Sequence, residues 1–279
     1  MKRLILFAAY DALDRVGPSL VWHVKAMAAC GDVVLAADSD IPSDTSSDGS
    51  LQMLAPYVLH SEAERHHEYD FGSYKRAFRW ASEHLDMDAY GRVYLVNDSV
   101  FGPVSDVLPC MERMEAMSED AVGMVYNPHH SHPHMQTWFV CLKPQVFRSG
   151  WFADFLLSVE KLKDKNEVCR VYETGLTELI VSKGLACSGL FIVPGKGIYN
   201  DVLKLCRRGL PFFKKSAFTR HEGSLGGQLS KVLAMNPEFG ELVRADARRL
   251  YGAEYVDAIL SDGSVALALR YLKYLRGKL

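Results

Sequence analysis

The feature that most constrains the fold is a set of short apolar runs, two of which end in polar clusters. Leu4 to Ala9 runs into Tyr10-Asp11, and Arg92 to Val96 runs into Asn97-Asp98-Ser99. A helical pattern separates the first run from the next apolar run, Val33 to Ala36. Strand, helix, strand units of this kind form parallel sheets covered by helices, so we predict an α/β fold.

The rest of the sequence also divides into strand and helix patterns. Further strand patterns occur at Val58-Leu59, Ala121 to Tyr126, Thr137 to Leu142 and Ala186 to Val193. Helical periodicity is present in Ser73 to Leu85, Asp106 to Met117, Trp151 to Leu162 and Glu173 to Lys183. Beyond Asn200 the pattern is helical only, in Asp201 to Arg208, Gly226 to Met235, Pro237 to Leu250 and Val265 to Leu279. We therefore predict a mostly parallel sheet flanked by helices over residues 1–198 and a mostly helical C-terminal region over residues 199–279.

Composition narrows the class of protein further. Hydrophobic residues make up 48% of the 279 residues and charged residues 24%, as in ordinary globular proteins. A formal net charge of -2 provides no general attraction for nucleic acid. The six cysteines include no C-x-x-C pair, and no apolar stretch approaches the roughly 20 residues of a membrane span. We expect a cytoplasmic protein.

The cluster Asn97-Asp98-Ser99 brings three oxygen-bearing side chains to the end of a strand. A divalent cation that bridges phosphates needs few oxygen ligands from protein, so Asp98 is a candidate metal ligand. Alternatively, Asp98 or Ser99 caps the following helix.

A second candidate segment is Tyr69-Asp-Phe-Gly-Ser-Tyr-Lys75. Asp70 or Ser73 could serve as a helix N-cap there, with Gly72 in a tight turn. In a functional interpretation, Asp70 accepts hydrogen bonds from a ribose or base, and Phe71 or Tyr74 packs against a ligand ring.

Glu173 lies at the start of a predicted helix, in Tyr172-Glu-Thr-Gly-Leu-Thr-Glu178. A carboxylate in a first turn is favoured by the helix dipole alone. In a closed crevice it could instead act as a general base. Helical spacing predicts that Glu178 points away from Glu173.

Histidines are most concentrated between His129 and His134, a segment that resembles a metal-binding tract by composition only. Near the other end, Arg207 to Lys215 combines two basic pairs with an apolar stretch. This segment could hold a diphosphate, an anionic acceptor or a lipid headgroup, or it could be a surface turn. The last helix carries Arg270, Lys273 and Arg276 beside several leucines. Such a basic amphipathic helix either packs on its own domain or lies on an anionic membrane.

Several motifs together resemble the rhamnan synthesis protein F family, bacterial glycosyltransferases of polysaccharide and O-antigen assembly. The matching segments, in family order, are Tyr69 to Lys75, Leu95 to Pro103, His134 to Val140, Tyr172 to Thr177 and Gly209 to Lys214. Several independent motifs in order are more specific than any one of them.

The resemblance implies a nucleotide-sugar-dependent glycosyltransferase with a GT-A-like, Rossmann-type sheet. The expected nucleotide-sugar-binding residues are Tyr10, Asp11, Asp70, Phe71, Gly72, Tyr74, Asn97, Asp98, Ser99 and Lys214. His132, His134 and Gln136 are expected on the acceptor side or in a loop. Asp98 takes the place of the Asp-x-Asp metal motif, with one carboxylate instead of two, and Mg²⁺ or Mn²⁺ is the cofactor that the resemblance implies.

The implied reaction is a single in-line displacement with inversion. Glu173 corresponds to the catalytic base beneath the acceptor, while a metal ion or a basic group steadies the departing diphosphate. The family suggests a nucleotide-diphosphate sugar donor such as a rhamnose donor. It also suggests a glycan or lipid-linked glycan acceptor. The basic amphipathic last helix could separately make peripheral contact with the inner face of the membrane. Fold analogy does not determine the sugar.

Two other functions stay open at this stage. The His129–His134 loop could form a metal-dependent hydrolase with Asp98. The chain could also be a non-catalytic nucleotide-sugar-binding subunit of an envelope assembly complex.

Overall fold

The computed structural model describes residues 1–44, 49–129 and 132–278, which form ten strands and thirteen helices. In chain order the strands are β1 (Arg3–Ala9), β2 (Asp32–Ala37), β3 (His60–Ala63), β4 (Arg92–Asn97), β5 (Val100–Phe101), β6 (Ala121–Asn127), β7 (His134–Met135), β8 (Phe139–Leu142), β9 (Cys187–Ile192) and β10 (Phe213–Lys214). The helices are α1 (Pro18–Ala28), α2 (Tyr69–His84), α3 (Leu108–Ala116), α4 (Pro144–Phe147), α5 (Gly150–Leu157), α6 (Lys165–Val168), α7 (Gly175–Ser182), α8 (Gly197–Asn200), α9 (Val202–Arg207), α10 (Gly226–Leu233), α11 (Pro237–Tyr251), α12 (Ala253–Ser261) and α13 (Ser264–Arg276). His130 of the predicted histidine loop and Leu279 of the last predicted helix lie outside the described residues.

The described chain divides into two compact units. The first contains residues 1–16, 24–98 and 107–195, and the second contains residues 17–23, 99–106 and the chain from Lys196 onward. The domain boundary expected between residues 198 and 199 stays a prediction. Unexpectedly, the second unit takes two segments, 17–23 and 99–106, from the N-terminal part of the chain.

The first unit contains a mixed sheet in the order β3-β2-β1-β4-β8-β6-β7, with β9 paired to β6. The pairs β1–β2, β1–β4, β2–β3 and β6–β9 are parallel, and β8 is antiparallel to both β4 and β6. The predicted α/β class with a mostly parallel sheet flanked by helices is therefore confirmed. Leu4 to Phe7 are fully buried, as expected for a strand covered on both faces.

The carboxyl ends of β1, β2 and β4 lie side by side at one edge of this sheet. Ala9 is opposite Ala37 on β2, and Ala8 is opposite Asn97 on β4. The residues that follow these strands therefore start from neighbouring positions. In open α/β sheets, ligands bind at this edge.

Helix α2 packs its apolar face against the sheet through residues spaced three or four apart. These residues are Phe71, Tyr74, Ala77, Phe78 and Ala81. The helix begins four residues before the predicted start at Ser73, and the predicted caps Asp70 and Ser73 lie inside it. The prediction that either residue caps the helix is wrong, because the backbone N–H of Tyr69 is instead bound by Asp38.

The helical stretch that carries Glu173 is longer than predicted. It begins with α6, whose N-cap Asp164 accepts hydrogen bonds from the backbone of Asn166 and Glu167. A π-helical turn, Cys169–Thr174, then joins α6 to α7. The prediction that Glu173 starts a helix is therefore wrong, and the dipole of a first turn does not explain this carboxylate. π-Turns inside helices often occur at functional sites.

Further elements also differ from the sequence-based prediction. Strand β3 lies two residues after the expected Val58-Leu59, and α12 was not expected. In the second unit, the two-residue strand β10 pairs antiparallel with β5, although no strand was predicted beyond Asn200. Strands this short have no periodicity by which a sequence could reveal them.

The second unit has its own core, formed mainly by α10, α11 and α12. Buried residues at its centre include Leu229, Phe239, Val243, Val256 and Ile259. Among the described residues, we find no helix with both the length and the apolar character needed to cross a membrane.

Candidate active site

Asp98 connects the ends of β1 and β4. Its side chain is 8% exposed, and Oδ1 accepts a hydrogen bond of 3.1 Å from the backbone N–H of Tyr10. The backbone N–H of Asp98 in turn donates to the carbonyl of Ala8. The carboxylate is thus held at the carboxyl-end edge of the parallel strands, as the strand-end pattern predicted.

Tyr10 and Asp11 have different environments although they are adjacent. The ring of Tyr10 is 53% exposed, with the guanidinium of Arg65 5.5 Å from its centroid. Asp11 is buried and its Oδ1 accepts the backbone N–H of Leu13 at 2.9 Å, while its own backbone N–H donates to Ser39. Tyr10 therefore offers an aromatic surface to a ligand, whereas Asp11 shapes the loop that presents it.

The turn between β3 and α2 is held by Asp38, a buried residue that the sequence analysis did not single out. Its two carboxylate oxygens accept the backbone N–H groups of His67 at 2.9 Å and of Tyr69 at 3.2 Å. Both donor residues have positive φ, 60° and 57°, a conformation that side chains disfavour. Asp38 follows an apolar strand as Asp98 does, so the same strand-end signal could have identified it.

Asp70 and Asn97 meet at the start of α2. The side-chain amide of Asn97 donates to Asp70 Oδ2 at 2.8 Å, and the backbone N–H of Asn97 donates to the carbonyl of Trp138. This pairing links the first turn of α2 to the end of β4. Two segments that the sequence analysis singled out separately therefore form one site.

Three further residues expected at the nucleotide site are buried in protein. Phe71 stacks on Tyr172 with ring centroids 5.4 Å apart, and the hydroxyl of Tyr74 donates to the carbonyl of Thr137 at 2.8 Å. A Cβ at Gly72 would overlap the side chain of Glu68, so this glycine permits close packing of the turn on α2. The expected contact of Phe71 or Tyr74 with a ligand ring is taken by protein in this structure.

The electrostatics of Tyr74 show how the carboxylates are grouped. Burial raises the pKa of the Tyr74 hydroxyl well above its ordinary value, and the negative charges of Asp70, Glu173 and Asp98 raise this pKa further. A hydrogen bond from Asn97 acts in the opposite direction. Three carboxylates from α2, β4 and the π-turn therefore share the surroundings of one buried hydroxyl.

Glu173 lines an open cavity of about 380 Å³. The other lining residues are Asn127, His129, His132, His134, Cys169, Arg170 and Thr174. Oε1 of Glu173 lies 3.6 Å from Nε2 of His134, and neither side chain is more than a quarter exposed. Most of the lining residues have polar side chains, and the volume is within the size range of small-ligand sites, about 300–1,000 Å³.

The hydrogen bonds of His134 define the role of each ring nitrogen. Nδ1 lies 2.7 Å from the backbone carbonyl of His132, an atom that can only accept, so Nδ1 carries a proton. When the ring is neutral, Nε2 is therefore a proton acceptor directed at Glu173. When the ring is protonated, Nε2 attracts the carboxylate.

The remaining acceptor-side candidates lie beside this pair. Exposed His132 is 3.6 Å from Glu178, and buried Gln136 accepts a hydrogen bond from the indole N–H of Trp138 at 2.9 Å. The two carboxylates lie near different histidines of this segment, and that Glu178 points away from Glu173 stays a prediction.

Ser99 and Lys214 belong to the second unit. The ammonium of Lys214 donates to Ser99 Oγ at 3.2 Å, and the backbone N–H of Lys215 donates to the carbonyl of Ser99. Two residues expected at the donor site from distant parts of the sequence are therefore neighbours within that unit.

A metal ion at this site would take most of its ligands from substrate phosphates rather than from the protein. Among the described residues, no three side chains of His, Cys, Asp or Glu form a group that could hold a metal. Asp98 alone still suits Mg²⁺ or Mn²⁺, which often bind one protein carboxylate together with substrate phosphates. In the loop, His132 and His134 pair singly with Glu178 and Glu173, an arrangement that does not favour a metal-dependent hydrolase.

Carboxylates at the ends of parallel strands are typical of ligand-binding sites in α/β proteins. The chain belongs to the rhamnan synthesis protein F family, whose sequence profile matches residues 41–246, well over half of the chain. The resemblance to this family inferred from the motifs is thereby confirmed.

Individual relatives are more distant. An uncharacterized protein, y4gN, of Sinorhizobium fredii is 26% identical to this chain over 126 residues. The matched stretch is 44% of this chain and 32% of that protein, so this chain spans about a third of that relative's length. A candidate nucleotide-diphospho-sugar transferase from Desulfovibrio desulfuricans G20 has 15% identity over 88% of this chain and 98% of its own, with a TM-score of 0.42. Residues 1–349 of S. aureus TarS, solved in complex with UDP, have 11% identity over 99% of this chain and 92% of theirs, with a TM-score of 0.38.

Proposed function

We propose that this protein transfers a sugar from a nucleotide-diphosphate donor to a glycan acceptor, with Glu173 as the general base. The observation that carries the proposal is the position of Glu173. It lines a cavity whose lining residues are mostly polar, and its charge, like those of Asp70 and Asp98, raises the pKa of the buried Tyr74 hydroxyl. These observations support a base on the same side of the sheet as the proposed donor site.

The cavity suits an acceptor hydroxyl. Imidazole, amide and guanidinium groups of His129, Asn127 and Arg170 can hydrogen-bond to sugar hydroxyls, and Glu173 presents an oxygen to the same space. A carboxylate within hydrogen-bond reach of a bound hydroxyl can remove its proton as the oxygen attacks.

The proposed reaction is one displacement at the anomeric carbon. The acceptor oxygen forms the new glycosidic bond while the bond from the anomeric carbon to the donor diphosphate breaks, which inverts the configuration. The acceptor proton goes to Glu173, and a neutral His134 offers Nε2 as the next acceptor. The nucleoside diphosphate leaves with the electron pair of the broken bond.

The donor side is formed by the edge that carries Tyr10, Asp38 and Asp98. The exposed ring of Tyr10 can stack on a nucleobase. Carboxylates at the same edge would repel a diphosphate, so a divalent cation held by Asp98 would supply the charge that lets donor and protein approach. The family points to rhamnose as the sugar and to a growing cell-surface polysaccharide as the acceptor.

The test compares Glu173→Gln with Glu178→Gln. Both changes remove one carboxylate near the histidine segment, but only Glu173 lines the cavity. We expect Glu173→Gln to lower the transfer rate by about 10²–10⁴-fold, the usual contribution of general-base catalysis, and Glu178→Gln to change it little. Transfer would be measured with purified protein and a panel of uridine, thymidine and guanosine diphosphate sugars.

Donor binding separates loss of chemistry from loss of the site. A donor present at about 100 times its Kd stabilises the folded state by about 2.7 kcal/mol, which a thermal-shift measurement detects. Glu173→Gln should retain this stabilisation. Full transfer activity in Glu173→Gln would exclude Glu173 as the base. Donor binding without transfer in the wild-type protein would favour the non-catalytic nucleotide-sugar-binding alternative.

A further inference from the structure

Helix α13 turns an apolar stripe toward solvent. The stripe consists of Val265, Ala268, Leu269, Leu272 and Leu275, at the three- and four-residue spacing of one helix face. Val265 is 77% exposed, Leu269 60%, Leu272 49% and Leu275 41%. A helix that packs on its own domain would direct such a face inward, so this exposure requires an explanation.

The opposite side of α13 is held to the second unit by specific contacts. The guanidinium of Arg270 donates to Asp262 at 2.6 Å and to the carbonyl of Glu222 at 3.3 Å. The rings of Tyr271 and Tyr274 pack against His221 with centroids 5.2 Å and 4.5 Å apart. These contacts set the rotation of the helix, so the outward direction of the apolar stripe is part of the folded structure.

Charge identifies the partner that this face fits. Lys273, Arg276 and Lys278 lie along the same helix end, and the sequence contains no acidic residue after Asp262, which already pairs with Arg270. The side chain of Lys273 is 80% exposed, and its ammonium nitrogen lies 4.0 Å from the carboxylate of Glu222. A second copy of the chain would bring like charges together. An anionic lipid surface can bury the apolar stripe among its acyl chains and attract the basic residues to its head groups.

We propose that α13 lies in the plane of an anionic lipid bilayer. The apolar stripe enters the boundary between head groups and acyl chains, and Lys273 and Arg276 bind lipid phosphates. From Val265 to Leu275 the stripe is about 16 Å long, enough for a helix that lies on a membrane but not for one that spans it. This inference does not depend on the proposed sugar transfer.

The test is sedimentation of the full chain with lipid vesicles. Vesicles of equal parts phosphatidylglycerol and phosphatidylcholine are compared with vesicles of phosphatidylcholine alone. We expect binding to the anionic vesicles, weaker binding at high salt and little binding to the neutral ones. Each basic residue near the surface contributes about 1 kcal/mol, so removing one should weaken binding about fivefold.

Two sets of variants assign the binding to α13. Leu269→Glu with Leu272→Glu should abolish sedimentation, whereas Leu157→Glu, at an exposed leucine at the end of α5, should leave it unchanged. Lys273→Gln with Arg276→Gln replaces two exposed residues and leaves the buried core unchanged. This variant therefore tests the role of α13 in vesicle binding even if the leucine variant misfolds. Circular dichroism would confirm that each variant is folded.

Two results would overturn the proposal: the wild-type protein does not bind anionic vesicles, or it binds them and neither variant set reduces the binding. Light scattering that shows a dimer disrupted by Leu269→Glu with Leu272→Glu, without vesicle binding, would instead assign the apolar stripe to a second copy of the chain.

Discussion

Replacing Asp38 tests whether the turn before α2 depends on a single carboxylate. Asp38 is 6% exposed and binds two backbone N–H groups, those of His67 and Tyr69. Both residues have positive φ, and neither is glycine. Because the turn leads directly into Asp70, its loss should also disturb the link between Asp70 and Asn97.

The expected magnitude follows from these contacts. A hydrogen bond to a charged group contributes about 1.5–3 kcal/mol net, so Asp38→Ala removes about 3–6 kcal/mol before relaxation. The two left-handed residues each cost roughly 1–2 kcal/mol, and relaxation of the freed turn recovers part of this strain. We therefore expect Asp38→Ala to lower the free energy of unfolding by about 3 kcal/mol. Asp38→Asn keeps one oxygen acceptor and should lose about half as much.

Urea unfolding followed by circular dichroism measures this series. The dependence of the unfolding free energy on urea concentration should stay the same, because the surface exposed on unfolding hardly changes. His67→Gly serves as a matched control. It removes an exposed side chain at a positive-φ residue and leaves the N–H donor to Asp38, so it should be neutral or stabilising.

Two results would refute the argument about Asp38. One is an Asp38→Ala variant within about 1 kcal/mol of the wild type, because the lost hydrogen bonds could not then be supporting the turn. The other is an Asp38→Asn variant as unstable as Asp38→Ala. Donor-induced thermal stabilisation should decrease in the same order as stability, since the turn positions Asp70.

Two further predictions concern the second unit. Burial, and secondarily the charge of Lys215, lowers the pKa of His23 to about 3. Since an unfolded chain protonates this ring near its ordinary pKa, about 6.5, stability should fall by about 1.4 kcal/mol per pH unit as the pH decreases from there toward the folded-state value. Urea midpoints across pH should show this slope in the wild type and not in His23→Leu; equal slopes would contradict it. A Cβ at Gly226 would overlap the carbonyl oxygen of Ile259, whereas one at Gly227 meets only the flexible Leu267 Cδ1 at 3.1 Å. Gly226→Ala should therefore cost about 1–3 kcal/mol in thermal or urea unfolding while Gly227→Ala costs little, and equal effects would count against this close approach of α10 and α12.

The sequence alone was sufficient for the central strands and for one edge of the site. Leu4 to Ala9, Val33 to Ala36 and Val93 to Val96 are continuous apolar runs, as expected for strands buried on both faces. Strand-end logic also located Asp98. The same logic applied to Asp38 would have found the carboxylate that holds the turn before α2.

Short elements and helix ends could not be predicted from the sequence. The two-residue strand β10 has no period, and α2 begins early because Asp38, far away in sequence, binds its first N–H. The π-turn likewise leaves no local signal. It nevertheless decides that Glu173 faces His134 rather than opening a helix.

The sequence by itself determined the α/β class, the family and the amphipathic character of the last helix, because apolar period and motif order are local properties of the chain. Only the tertiary structure decided how Asp70, Asp98 and Glu173 are grouped, since three distant segments must pack on one sheet to bring them together. It also decided which side of α13 faces outward. The amphipathic pattern is compatible with either orientation, and the contacts of Arg270 and Tyr274 select the one that exposes the apolar stripe.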